Sequence, residues 1–238
     1  LLGARKFYEC HLGHQALLRK NCFFSRGVSV LTARGIDRSL LDQQGSFSDT
    51  RVMNGPSIPG READQASIPI NYSRLIAREL DIQERDLPRL LADTGLDPRC
   101  LIDQETWLSS SQQSQIVQNA LDISGRPEIG LPIGQQMRPS VHGPIGYLAT
   151  SSPDLRTALS SLQEFLPLRV RFVSMTMHET QDWLACDLHL ELAAPAHIRR
   201  TVLEAIIQVV QHVAEFIIGR PLVEGQIDLE FPAPTYHR

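Results

Sequence analysis

Cysteine and lysine are scarce in this chain, and the familiar catalytic signatures are missing from it. Cysteine occurs only at 10, 22, 100 and 186, with no CxxC pair. That spacing excludes a disulfide framework, and Cys186 falls on the apolar side of an alternating run, where a reduced structural thiol belongs. Cys10, His14 and Cys22 fit no zinc spacing, so no metal is expected, and no cofactor. GxSxG, HExxH, the P-loop and GxGxxG are all absent, which argues against hydrolase, zinc-protease and nucleotide-dependent chemistry. Lys6 and Lys20 are the only lysines; beyond them every basic side chain other than histidine is arginine. Net charge is −4, too acidic for a chain that coats nucleic acid by charge alone. The longest greasy run, 201–218, carries Glu204, Gln208, Gln211, His212 and Glu215. Hydrocarbon would not tolerate these, so a cytoplasmic chain without a membrane span is expected.

Charge and pattern divide the chain unevenly. Residues 1–66 hold 9 Lys and Arg against 6 Asp and Glu, a net of +3; residues 67–238 hold 14 Arg against 21 acidic residues, a net of −7. The first stretch has no sustained period and is dense in Gly, Ser, Asp and Pro from Gly45 onward, so it is predicted to be a disordered or non-native tail. Leucine at position 1 suggests a fragment, and Met53 offers another start.

Order is predicted from Ile70. Asn71 is placed to cap a helix YSRLIAREL. A second helix presents Leu87, Leu90 and Leu91, with Pro88 in its first turn. Ser109 or Ser110 opens a third, with Ile116, Val117, Ala120, Leu121 and Ile123 on one side and Gly125 at its end. It contains no Arg or Lys, so it cannot hold phosphates as the recognition helix of a helix-turn-helix does. Ser152-Pro153-Asp154 reads as cap, first helical position and first-turn acid of a helix over 154–165.

Residues 142–231 are the most strongly patterned. Leu184, Cys186, Leu188, Leu190 and Leu192 alternate with Asp187, His189 and Glu191, the period of a strand with one wet face. Before it, Leu168, Val170 and Phe172 oppose Arg169 and Arg171, and the short polar stretch between the two runs predicts an antiparallel hairpin. A helix follows over 196–219, with Ile198, Val202, Ile206, Val209, Val213 and Phe216 assigned to the apolar face and Glu204 to the wet one. Gly219 suits its left-handed cap, and Pro221 prevents continuation. A short strand closes the pattern at 226–231. The predicted class is α+β: a helical N-terminal part, then an antiparallel sheet packed against a long amphipathic helix.

No set of catalytic residue types converges in this pattern. His212 and Glu215 lie on the wet side of a helix, His178 and His189 on a sheet's polar edge, and Ser151 and Ser152 are cap residues, so no enzyme is expected. A helix-on-sheet domain instead suggests an apolar effector cavity with a few polar points. Trp107, His142, Tyr147, Arg171 and Trp183 are the candidate ligand contacts. The alternative is a small cytosolic enzyme or ligand carrier unrelated to transcription.

The stretch HGPIGYLATSSPDLRTALSSLQEFLPL resembles the N-terminal effector domain of one branch of AraC-type bacterial transcription regulators. INYSRLIARELDIQERDLPRLLADTGLD, the helix AHIRRTVLEAIIQVVQHVAEFIIGRPL and the closing FPAPTYHR match in the same order, over residues 70–238. The resemblance implies a small-molecule effector, a homodimer, and DNA contact only through a C-terminal helix-turn-helix domain missing from this chain. It also implies a sensor cut short after the Pro232–Tyr236 stretch.

Overall fold

The computed structural model describes residues 28–34, 66–103, 105–179, 183–223, 225–229, 231–232 and 234–236. Two strands, β1 (Val28–Arg34) and β2 (Ile68–Pro69), come first. Helix α1 (Asn71–Glu79), a 3-10 turn (Glu84–Asp86), α2 (Leu87–Leu90) and α3 (Cys100–Asp103) lead to β3 (Trp107–Leu108). Then come α4 (Ser110–Ser124), α5 (Gly130–Gln136), a 3-10 turn (Pro139–His142), α6 (Pro144–Thr150) and α7 (Leu155–Arg169). The chain continues through β4 (Val173–Glu179), β5 (Trp183–Leu190), the long α8 (Ala196–Ile218) and β6 (Gly225–Asp228). The class is α+β, as expected.

Four strands form one antiparallel sheet in the order β4-β5-β1-β6. The β4–β5 hairpin follows the predicted alternation. Leu184, Cys186, Leu188 and Leu190 are buried with Val173, Met175 and Ile227 in one core that also holds Ile207, Val210 and Val213 of α8. β1 lies between β5 and β6, with Leu31 opposite Cys186 on one side and Ile227 on the other. This strand comes from the stretch read as a tail, and no alternation in the sequence announced it; the remainder of residues 1–65 lies outside the described residues. Its backbone satisfies the neighbouring edges of β5 and β6, which would otherwise present unpaired groups.

Four local expectations need correction. Ser152 does not cap α7; the Asp154 carboxylate does, accepting from the Thr157 amide at 2.7 Å. Asn71 does not cap α1 but begins it, and its side chain reaches across the fold. Helix α7 runs on to Arg169 through Pro167, so Leu168 and Arg169 are helical and β4 starts only at Val173. Its core face is therefore Val173 and Met175, while Leu168 is exposed.

The fourth correction concerns α8. Thr201, Leu203, Glu204, Ala205, Ile207 and Val210 are buried, whereas Phe216 is exposed and Val202, Ile206 and Val209 are only half-buried. The reason is α5. Gly130 and Gly134 carry its backbone against Thr201 and Ala205 of α8, closer than any Cβ would allow. A helix covered on two sides shows two buried stripes, and a single apolar stripe captures only part of them: Ile198 and Val213 of the expected face are buried. The capping expectations hold elsewhere. Ser109 and Gln112 form a reciprocal capping box on α4, and Gly125 and Gly219 end α4 and α8 in the left-handed region.

Candidate functional site

Four elements bring a polar cluster together around the Tyr72 ring. β2 pairs with β3 so that Pro69 stands opposite Trp107 and Ile68 opposite Leu108. Leu108 is wholly buried, and Trp107, on the alternate side of the strand, is half exposed. Directly after β2, α1 begins with Asn71 and Tyr72. The 3-10 turn ending at His142 packs against that first turn. Asn71 Nδ2 donates to the Val141 carbonyl at 2.7 Å. The Tyr72 hydroxyl lies 3.1 Å from His142 Nδ1, with the two rings 5.8 Å apart.

Gly146 makes that turn possible. A Cβ there would sit 1.7 Å from the Pro139 carbonyl oxygen, so α6 can fold back on the 3-10 turn only if residue 146 has none. This is the physical content of the second glycine in HGPIG.

Arg169, the last residue of α7, completes the cluster. Its guanidinium carbon lies 5.8 Å from the Tyr72 centroid and 5.7 Å from the Trp107 centroid, at cation–π distance from both rings. Among the described residues no carboxylate pairs with it. Within the cluster three buried polar atoms have no hydrogen-bond partner among the described residues: Arg169 Nε, His142 Nε2 and Asn71 Oδ1.

The charge state follows from burial. Desolvation lowers the His142 pKa to about 4; the Met137 backbone opposes this and Arg169 adds to it. Desolvation raises the Tyr72 hydroxyl above its ordinary value, with Arg169 pulling the other way. At neutral pH His142 and Tyr72 are therefore both neutral, and among the described residues Arg169 is the one charge at the centre of the cluster.

Of the five side chains singled out in the sequence, this arrangement unites Trp107 and His142. Tyr147 faces solvent from α6, 63% exposed. Arg171 is exposed in the turn between α7 and β4. Trp183 opens β5 opposite Arg34, and its side chain lies outside the described residues. Tyr72, Asn71 and Arg169 were missed. Arg169 was read as a strand residue because Leu168, Val170 and Phe172 alternate around it; only the extension of α7 through Pro167 changes its direction. Nothing in the local sequence marks Tyr72.

A second buried polar group sits on α8. Glu204 is 4% exposed. It accepts a hydrogen bond from Tyr236, and Arg200 stands 3.9 Å from the same carboxylate oxygen and 5.6 Å from the Tyr236 ring centroid. Desolvation raises the Glu204 pKa to about 7; Tyr236 and Arg200 counteract it, and Glu128 reinforces it. The Tyr236 hydroxyl is also raised, first by burial and then by Glu204. Here opposite charges face each other.

The comparisons with known proteins agree with this architecture. Residues 85–238 match the arabinose-binding domain that forms the N-terminal part of AraC transcription regulators. The ornithine utilization regulator of Pseudomonas aeruginosa is 24% identical over 143 residues, which is 59% of this chain and 41% of that protein. The aligned part is thus less than half of the regulator's length. A match from α2 through the β4–β5 hairpin and α8 shows that the chain belongs to the family of arabinose-binding domains of AraC-type transcription regulators, which are ligand-sensing regulatory domains.

Proposed function

We propose that the Tyr72–Trp107–His142–Arg169 cluster is where this domain meets its small-molecule effector. In this reading the domain dimerises and controls DNA binding by a separate helix-turn-helix domain in the bacterial cytoplasm. The sensing unit is residues 67–238, completed by strand β1 from the preceding stretch. One observation carries the site: a half-buried guanidinium whose Nε is buried and which has no carboxylate partner among the described residues, beside two further buried polar atoms without partners. Unsatisfied buried polar groups cost stability, and they persist where a ligand supplies what the chain does not.

The control of DNA is indirect. Residues 67–238 carry net −7, and α4 offers no basic side chain, so phosphate is repelled rather than held. An effector acts only through unequal affinity for two states. The cluster joins α1, β3, α7 and the His142 turn, and a ligand there changes how these four elements are held together. The family is one of regulators, and we propose no catalytic step for this chain.

The test uses the regulator that carries this domain joined to its DNA-binding half. Gel retardation of its promoter should change when a metabolite extract is added, and Arg169→Gln should abolish that response. The 238-residue chain alone should leave the promoter unretarded and should sediment as a dimer. Specific, salt-resistant retardation by the chain alone would overturn the reading.

A further inference from the structure

We propose that the effector is a small organic carboxylate and that Arg169 is its anchor. This rests on the sensing role proposed above and names the chemistry of the same site. The charge count decides the class. Arg169 is the single charge of the cluster, and no carboxylate among the described residues neutralises it. A cationic ligand would meet an uncompensated guanidinium, and a neutral one would leave that charge unpaired. A carboxylate neutralises it and takes the fork geometry that a guanidinium presents.

The surroundings prepare Arg169 for this. It lies over both Tyr72 and Trp107, which restricts the plane of the guanidinium and lowers the ordering cost of binding. Its Nε–H has no partner. His142 adds a second donor. When the Tyr72 hydroxyl donates to Nδ1, the ring proton sits on Nε2, the atom without a partner. Asn71 is a positioning residue: its amide holds the Val141 carbonyl and with it the His142 turn. Trp107 is the way in. It is half exposed, whereas Tyr72 on the other side of the cluster is buried, so movement of the Trp107 ring uncovers the guanidinium.

The test is calorimetric titration and thermal shift of the 238-residue protein. The probes are sodium acetate, lactate, hexanoate and benzoate, each beside its primary amide, with L-arabinose as a neutral probe and ethanolamine as a cationic one. At least one carboxylate should bind and raise the melting temperature, and its amide should not. Arg169→Gln should weaken that binding by about 10- to 100-fold, the loss expected for hydrogen bonds to a charged group. Trp107→Ala, at a half-exposed position, should keep the circular dichroism of the parent and still lower the affinity. Binding of a carboxylate that is equal in Arg169→Gln, or equal for its amide, overturns the proposal. So does binding confined to arabinose or ethanolamine, or a panel in which no carboxylate binds. None of these outcomes touches the sensing role itself, which fails separately if a metabolite extract leaves promoter retention by the full regulator unchanged.

Discussion

Two polar groups of this domain hold their central charge in different ways. Around Glu204 the charges answer each other: the carboxylate accepts from Tyr236, and Arg200 stands beside both. Around Arg169 no carboxylate among the described residues answers, and the rings of Tyr72 and Trp107 stand in its place; buried polar atoms without a hydrogen-bond partner occur in both groups, Arg200 Nε and Glu204 Oε2 in the first and Arg169 Nε, His142 Nε2 and Asn71 Oδ1 in the second. Both groups rest on a glycine that lets backbone approach backbone, Gly130 against Thr201 and Gly146 against Pro139. The difference teaches what a carboxylate partner adds to a charge inside the fold. A buried charge whose partners come from the chain ties segments together, here α8 and the stretch around Tyr236. A half-buried guanidinium that meets two ring faces and no carboxylate among the described residues is held by weaker contacts.

The largest expected effects strike what the two groups share. Gly146→Ala and Gly130→Ala each place a Cβ inside a backbone contact, 1.7 Å from the Pro139 oxygen and 2.3 Å from the Thr201 oxygen. Each should cost about 3 kcal/mol or more in urea unfolding, because backbone must move. A cost below about 1 kcal/mol at both would show that neither contact is close in solution.

Removal of the central charge should then separate them. Glu204→Ala strands Arg200 and Tyr236 and should cost roughly 3 kcal/mol. Arg169→Gln removes a charge that has no carboxylate and should change stability by no more than about 1 kcal/mol. Comparable losses for the two variants would erase the distinction between the two groups.

The third prediction concerns pH, where the two groups pull in opposite directions. The Glu204 pKa is raised from 4.5 to about 7 in the folded domain, with Tyr236, Arg200 and Glu128 facing it. Its protonated form suits the fold, so this contribution is complete below pH 4.5 and is lost as pH rises through 7. The His142 pKa is lowered from 6.5 to about 4. Its contribution is complete above pH 6.5 and is lost as pH falls through 4. Glu204→Gln should flatten the decline on the alkaline side and leave the acid side unchanged, as read by thermal unfolding between pH 4 and 8.

The smallest effects mark the limits of the α8 core. Phe216→Ser, at a residue 60% exposed, should shift stability by less than about 0.5 kcal/mol. Val209→Asp, at a half-buried position, should cost about 1 kcal/mol, well below Glu204→Ala. The reverse order would restore the single-stripe reading of α8.

The sequence was legible where one face of an element meets one environment. The alternation from Leu184 to Leu190, a serine cap at 109 or 110, and the glycine ends at 125 and 219 were all readable, because each depends on residues a few positions apart. Legibility failed where two environments meet. The Glu204 side of α8 was misassigned because α5 covers a side that α8's own sequence cannot announce. Trp107 and His142 stood out as isolated aromatic and titratable side chains. Tyr72 and Arg169 did not, since their importance comes from partners tens of residues away.

By itself, then, the sequence determined the class, the order of most elements, the β4–β5 hairpin and the resemblance to AraC-type sensor domains, since these follow from local period, capping and composition. Only the tertiary structure placed Val28–Arg34 between β5 and β6, buried Glu204, and gathered Asn71, Tyr72, Trp107, His142 and Arg169 from four separate elements. Each of those outcomes depends on distance in space, and hydrophobic period along the chain carries no record of which distant side chains will share a low-dielectric neighbourhood.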